Sequence, residues 1–113
     1  MMSGNDLIIA FSFSGKTPEI VNVVKYCSQN NITVIGISGD SQSPLANASN
    51  VHLDICVTEE ADHLGLAPTS STTNMIALGD ALASSVSEDK GFNRSDFHGF
   101  HPGGSLGNQL ENE

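Results

Sequence analysis

Positive charge is scarce in this 113-residue chain: four lysines and arginines stand against thirteen aspartates and glutamates, for a formal net charge of -9. No basic stripe offsets that excess, so a long polyanion such as nucleic acid would be repelled over most of the surface. A small phosphorylated metabolite is not excluded, because exposed charges are screened within about 8 Å at physiological ionic strength and local donors then decide binding. The two cysteines, Cys27 and Cys56, lack metal-type spacing and are not needed to staple a domain of this size, so both are expected as reduced core thiols. The four histidines show no paired ligand spacing, and no metal site is expected. No apolar run approaches membrane-spanning length, and the N-terminus carries no basic, long apolar or cleavage pattern. The expectation is a soluble cytoplasmic protein with no membrane partner, folded as a single domain over residues 1–113 with little core to spare.

What is present is organised as strand, turn and helix. Leu7 to Phe13 form a nearly continuous apolar run, and Ile32 to Ile37 form another rich in β-branched residues, as buried parallel strands do. Between them Ile20, Val21, Val24 and Cys27 recur at helical spacing, with Asn30-Asn31 as a stop. A short helix is expected over Pro44 to Ala48, and a third strand over Val51 to Val57 with His52 and Asp54 on its polar face. After a loop from Thr58 to Pro68, the cluster Thr69 to Thr73 leads into Met75, Leu78, Leu82 and Val86 at helical intervals, so it marks a helix start. Gly79, with Ala77, Ala81 and Ala83 nearby, suggests a close approach to the sheet. From Gly91 onward the chain reads as polar and Gly-rich around Phe92, Phe97 and Phe100. The fold class is α/β, a parallel sheet with flanking helices joined by right-handed crossovers.

The turn Phe11-Ser12-Phe13-Ser14-Gly15-Lys16-Thr17-Pro18-Glu19 gathers small hydroxyls, a glycine and helix amides where the first strand feeds the first helix. Such a turn presents backbone N–H groups and the positive end of a helix to an anion, while Ser12, Ser14 and Thr17 can each donate a hydroxyl. The plain alternative is an ordinary strand-to-helix turn with Thr17 as N-cap and Pro18 at the first helical position. In an open parallel sheet ligands bind beyond the carboxyl ends of the strands, here Ser12 to Thr17, Ser38 to Asp40 and Thr58 to Glu60. The polar residues therefore collect at one edge, which favours the phosphate reading.

Acid and base candidates are few. Glu19 lies in a first helical turn, where a carboxylate also simply complements the dipole. Glu59 and Glu60 follow the third strand, and adjacent like charges can raise one pKa, although neighbouring acids on a loop are usually just solvated. His52 belongs to a strand face, and His63 and His98 read as surface or packing residues. His101 differs, because Pro102 and the Gly103-Gly104 pair that follow are typical of a loop that positions a side chain, and imidazole titrates near neutrality.

Taken in order, SFSGKTPE, GLAPTSSTT, ALGDAL, GFNRSDF and HPGGSLG resemble the sugar isomerase (SIS) domain of arabinose-5-phosphate isomerases, including their capsule-associated and sorbitol-operon relatives, over nearly the whole chain. The resemblance implies a flavodoxin-like or Rossmann-like SIS architecture, here an incomplete three-stranded version. It implies interconversion of D-arabinose 5-phosphate and D-ribulose 5-phosphate through an enediol, without a cofactor, supplying an acidic eight-carbon sugar of lipopolysaccharide and some capsules. By matching motif, Ser12, Ser14, Gly15, Thr17 and Thr58 would hold the substrate, and Glu19, Glu60 and His101 would be catalytic. The base stays open between Glu60 and His101; the favoured division gives proton transfer to Glu60, ring opening or oxygen protonation to His101 and hydroxyl orientation to Glu19.

Departures matter as well. An upstream Gly-Lys-Ser segment with an active-site lysine has no counterpart in the sequence, nor does a regulatory CBS pair after Glu113. Where relatives read Glu-Ala-Cys-Pro-Leu-Gly, this chain reads Glu60-Ala61-Asp62-His63-Leu64-Gly65, adding an acid and an imidazole beside a presumed catalytic carboxylate. A three-stranded half sheet would leave an edge and apolar faces uncovered, which implies a homo-oligomer or a complement to a missing N-terminal half. The competing functions are a non-catalytic phosphosugar-binding module and a truncated remnant.

Overall fold

In the computed structural model, which describes residues 2–111, the chain separates into two compact units, Met1–Leu78 and Gly79–Glu113. In the first unit three strands, β1 (Leu7–Phe11), β2 (Thr33–Ser38) and β3 (Val51–Asp54), form a wholly parallel sheet in the order β1-β2-β3. The register pairs Ile9 with Ile35 and Phe11 with Ile37, then Ile37 with Leu53. Helix α1 (Pro18–Gln29) connects the first pair of strands and α2 (Pro44–Ala48) the second. Two successive crossovers of the same hand, stepping in one direction, bring both helices to one face of the sheet, and α1 and α2 pack on each other and on β2.

That face holds the core. Because side chains alternate along a strand, Ile8 and Ala10 of β1 and Val34 of β2 point the same way, and they meet Val24 and Cys27 from α1, Ile32 and Leu45. Val24, Cys27, Val34 and Leu45 are completely buried. The odd-numbered face is different: Leu7, Ile9 and Phe11 of β1 are 52%, 42% and 38% exposed, an apolar strip of the kind a monomeric sheet rarely presents.

Helix α1 stops where its sequence says it should, and the mechanism is visible. Asn31 takes φ 56°, and the Ile32 amide reaches back to the Cys27 carbonyl at 2.9 Å. This is a Schellman closure with asparagine in the left-handed position and the apolar Ile32 folded into the core behind it. Helix α2 is opened by Ser43, whose Oγ accepts from the Ala46 amide at 3.2 Å, with Pro44 at its first position.

Several expectations need correction. The first strand ends at Phe11 rather than Phe13, and the third ends at Asp54 rather than Val57. The physical reason at β3 is a turn that the apolar run conceals: Asp54 Oδ1 accepts the Cys56 amide at 2.8 Å and Cys56 takes φ 48°, which no strand continues through. For the same reason Cys56 is exposed instead of a core thiol, whereas Cys27 is buried as expected; both are free. The polar, Gly-rich segment after Gly91, for which no element was expected, forms two short helices.

In the second unit, the long α3 (Ser70–Asp89), which begins in the first unit, ends with Gly91 at φ 65° and Phe92 N–H bonded to Ser87 O. Two short helices, α4 (Arg94–Phe100) and α5 (Gly104–Leu110), follow. Asn93 starts α4 through a reciprocal capping box: its Oδ1 accepts from the Ser95 and Asp96 amides while Asp96 Oδ2 accepts from the Asn93 amide.

Candidate phosphosugar site

Because all three strands run in parallel, their carboxyl ends share one edge, and the loops leaving β1 and β2 are stitched together there. The Ser12 amide donates to Ile37 O at 3.0 Å, the Gly39 amide to Phe13 O at 2.9 Å and the Leu45 amide to Gly15 O at 3.0 Å. Gly15 is obligatory in this arrangement for two reasons. Its φ is 62°, and a Cβ built there would lie 2.1 Å from Ser43 Oγ.

The turn brings Ser12, Ser14, Gly15 and Thr17 together. Ser12 is buried and its Oγ shares a 2.9 Å hydrogen bond with Thr17 Oγ1. The exposed Ser14 accepts the Lys16 amide at 3.2 Å on its hydroxyl. Thr17 occupies the N-cap position of α1, as in the plain strand-to-helix alternative, but its side chain caps nothing; the hydroxyl turns across the loop to Ser12 instead. Pro18 has no N–H, and the α1 ladder begins with the Val21 amide on Thr17 O at 3.0 Å, so the Glu19 and Ile20 amides stand outside it, as first-turn amides must. An uncapped helix start beside two linked hydroxyls is a set of donors matched to an anion. Glu19 lies exposed in that same first turn. One relationship went unread in the sequence: Lys16 Nζ lies 3.3 Å from Asp40 Oδ2, across the two stitched loops.

Behind the edge sits a polar core pocket. Ser38, fully buried at the end of β2, bonds His52 Nε2 at 2.8 Å and lies 3.4 Å from Ser43 Oγ. His52 on its strand face thus has a structural partner.

Thr58 and Glu60 lie on the loop leaving β3, at the same edge. Thr58 is exposed. Glu60 is committed to the start of α3: its Oε2 accepts the Thr69 amide at 2.8 Å, the Ser71 amide at 3.1 Å and the Thr69 hydroxyl at 3.3 Å, while Oε1 accepts the Ser71 hydroxyl. Led by the Ser71 hydroxyl and then the Thr69 amide, these bonds lower its pKa from 4.5 to about 2. A carboxylate so stabilised is a weak proton acceptor at neutral pH, where a general base works best with a pKa near the operating value. The added acid, Asp62, organises the loop rather than perturbing Glu60: Oδ1 accepts the Leu66 and Ala67 amides at 2.7 and 2.8 Å and Oδ2 the Leu64 amide at 3.0 Å, around Gly65 at φ 65°. The added imidazole, His63, is exposed.

His101 belongs to the second unit. It is the C-cap of α4, with its amide on Phe97 O at 3.0 Å and its ring stacked on Phe97 at a centroid distance of 4.5 Å. The expected positioning loop is therefore only Pro102-Gly103 before α5 begins.

The SIS domain family matches residues 1–85. This chain belongs to that family. The SIS chain is 47% identical over 110 residues, 97% of its length, to arabinose 5-phosphate isomerase KdsD of Pseudomonas aeruginosa, and 43% identical over the same length to KdsD of Escherichia coli K12. It spans about a third of the length of these curated relatives, 34% in each case. Among solved structures it is similar to a protein of E. coli CFT073 in complex with arabinose 5-phosphate, with a TM-score of 0.85 and 37% identity, covering 89% of this chain and 54% of that one. A Bacteroides fragilis protein described as a phosphosugar isomerase involved in capsule formation gives a TM-score of 0.77 at 37% identity, covering 82% of this chain and 50% of that one. The parallel three-stranded sheet with flanking helices is thus a part of the SIS fold.

Proposed function

We propose that the chain binds a phosphorylated pentose and forms part of a single SIS domain, over residues 1–113, that interconverts D-arabinose 5-phosphate and D-ribulose 5-phosphate. The observation that carries the reading is the Ser12-to-Thr17 turn, where paired hydroxyls and an uncapped helix start face the carboxyl edge of a parallel sheet. The sugar phosphate held by the similar E. coli CFT073 protein supports the substrate class. Ser12, Ser14, Gly15 and Thr17 take the phosphate, Thr58 contributes to the sugar end, and Glu19 orients a hydroxyl. In the isomerisation a proton leaves C2 of the open-chain aldose and returns to C1, while a hydroxyl proton passes from O2 to O1; no oxidant or cofactor enters the balance. The bonds that hold Glu60 ionised support a role for it as the anchor of the 58–71 segment, and His101 is the other candidate for proton transfer that the motif resemblance offers.

The exposed strip along β1 supports completion of the fold by further SIS sequence, from a second copy or from an N-terminal half. A binding module without turnover is the second reading, favoured by the Glu60 carboxylate being taken up by Thr69 and Ser71. Incubation with arabinose 5-phosphate decides between them: formation of ribulose 5-phosphate supports the isomerase, whereas calorimetric binding without product supports the module. Absence of both binding and product overturns the phosphosugar reading itself.

A further inference from the structure

The 12–19 turn contains one cation, Lys16, flanked by the two residues that shape the anion cradle, Gly15 and Thr17. Its amide is spent on Ser14 Oγ, but its side chain is 65% exposed and leans over the adjoining loop to Asp40. Asp40 is the fixed member of the pair, since its Oδ1 accepts the Gln42 amide at 2.9 Å and its loop is tied to the turn through Gly39 and Leu45.

We infer that Lys16 is a phosphate ligand held in reserve by Asp40: before substrate arrives Nζ stays in the ion pair, and a phosphorylated sugar seated on the turn draws it across. The inference rests on the phosphosugar reading and adds a charged ligand to its neutral donors. Three physical points support it. An exposed ion pair is weak and screened, so a phosphate dianion a few ångströms away outcompetes a single carboxylate for the same ammonium. Lysine carries its charge on a flexible stem of four carbons, so Nζ moves while the backbone of the turn stays in place. In a chain of net charge -9, an unpaired lysine in the loop would attract any anion, whereas the pair withholds it from weaker ones. The Gln42 amide, and then Lys16 itself, keep the Asp40 carboxyl below its ordinary range, so the pair is formed at neutral pH.

The test is a double-mutant cycle by calorimetry at fixed ionic strength, with native chain, Lys16→Met, Asp40→Asn and the double variant titrated with arabinose 5-phosphate. Both side chains are at the surface, and circular dichroism verifies that each variant folds. The expected result is binding weakened about 3- to 5-fold by Lys16→Met, strengthened by a similar factor by Asp40→Asn, and no gain from Asp40→Asn once Lys16 is gone. An equal gain from Asp40→Asn in both backgrounds would make Asp40 a simple repeller and overturn the inference, as would native affinity in Lys16→Met. Failure of the native chain to bind overturns the phosphosugar reading and this inference with it.

Discussion

The Glu60 carboxylate accepts from both the amide and the hydroxyl of Ser71, eleven residues later in the chain. With Thr69 it closes the 58–69 loop onto the start of α3, so a residue that motif matching marks as catalytic is also the cap of a helix.

A pH dependence follows from that geometry. The folded pKa of about 2 lies below the ordinary value of 4.5. Between these values the unfolded chain binds more protons, so stability rises with pH there. The contribution of Glu60 is full above pH 4.5 and disappears as the pH falls toward 2. Denaturant unfolding of native and Glu60→Gln protein at successive pH values should show the native more stable at about pH 6 and the gap closing by about pH 2. A gap that does not change with pH would refute the assignment.

Gly15→Ala should be among the most damaging changes of a single methyl in the chain. It adds left-handed strain of about 1–3 kcal/mol and drives a Cβ to 2.1 Å from Ser43 Oγ. Adding Ser43→Gly should restore part of the lost stability by removing both atoms in the way. A midpoint in urea that Ser43→Gly leaves no higher would show that the contact is not the cause.

The closure of α1 at Asn31 makes a smaller prediction. At φ 56°, Asn31→Val introduces a β-branched residue where the left-handed conformation costs about 1–2 kcal/mol, whereas Asn31→Gly keeps full stability. Thermal unfolding of the two variants should separate them, with only the valine variant melting lower.

The parts of the fold readable in sequence were those set by local chemistry. The apolar runs of β1 and β2, the 3.6-residue stripe Val21, Val24 and Cys27, the Asn30-Asn31 stop and the Pro44 helix each follow from neighbouring residues alone. The end of β3 was hidden because Ile55 to Val57 continue the apolar pattern while the Asp54 side chain turns the backbone. Helices α4 and α5 were hidden because seven residues make only about two turns, too few for the Phe97/Phe100 and Leu106/Leu110 pairs to establish a period; the Asn93 and Asp96 spacing was a further signal for α4. At the site, the hydroxyl turn was legible as a cluster. The direction of Thr17, the Lys16 and Asp40 pair and the cap made by Glu60 join residues 5 to 24 positions apart, and only the folded chain brings them into contact.

The central claim is that the turn from Ser12 to Glu19 holds the phosphate of a sugar. Its most direct test is an amide NMR titration of the chain with arabinose 5-phosphate beside D-arabinose. The account predicts saturable shifts at the amide of Ser14 and at the first-turn amides Glu19 and Ile20 with the phosphorylated sugar, and none with arabinose. Shifts confined to other residues, or the same shifts with both sugars, would contradict it.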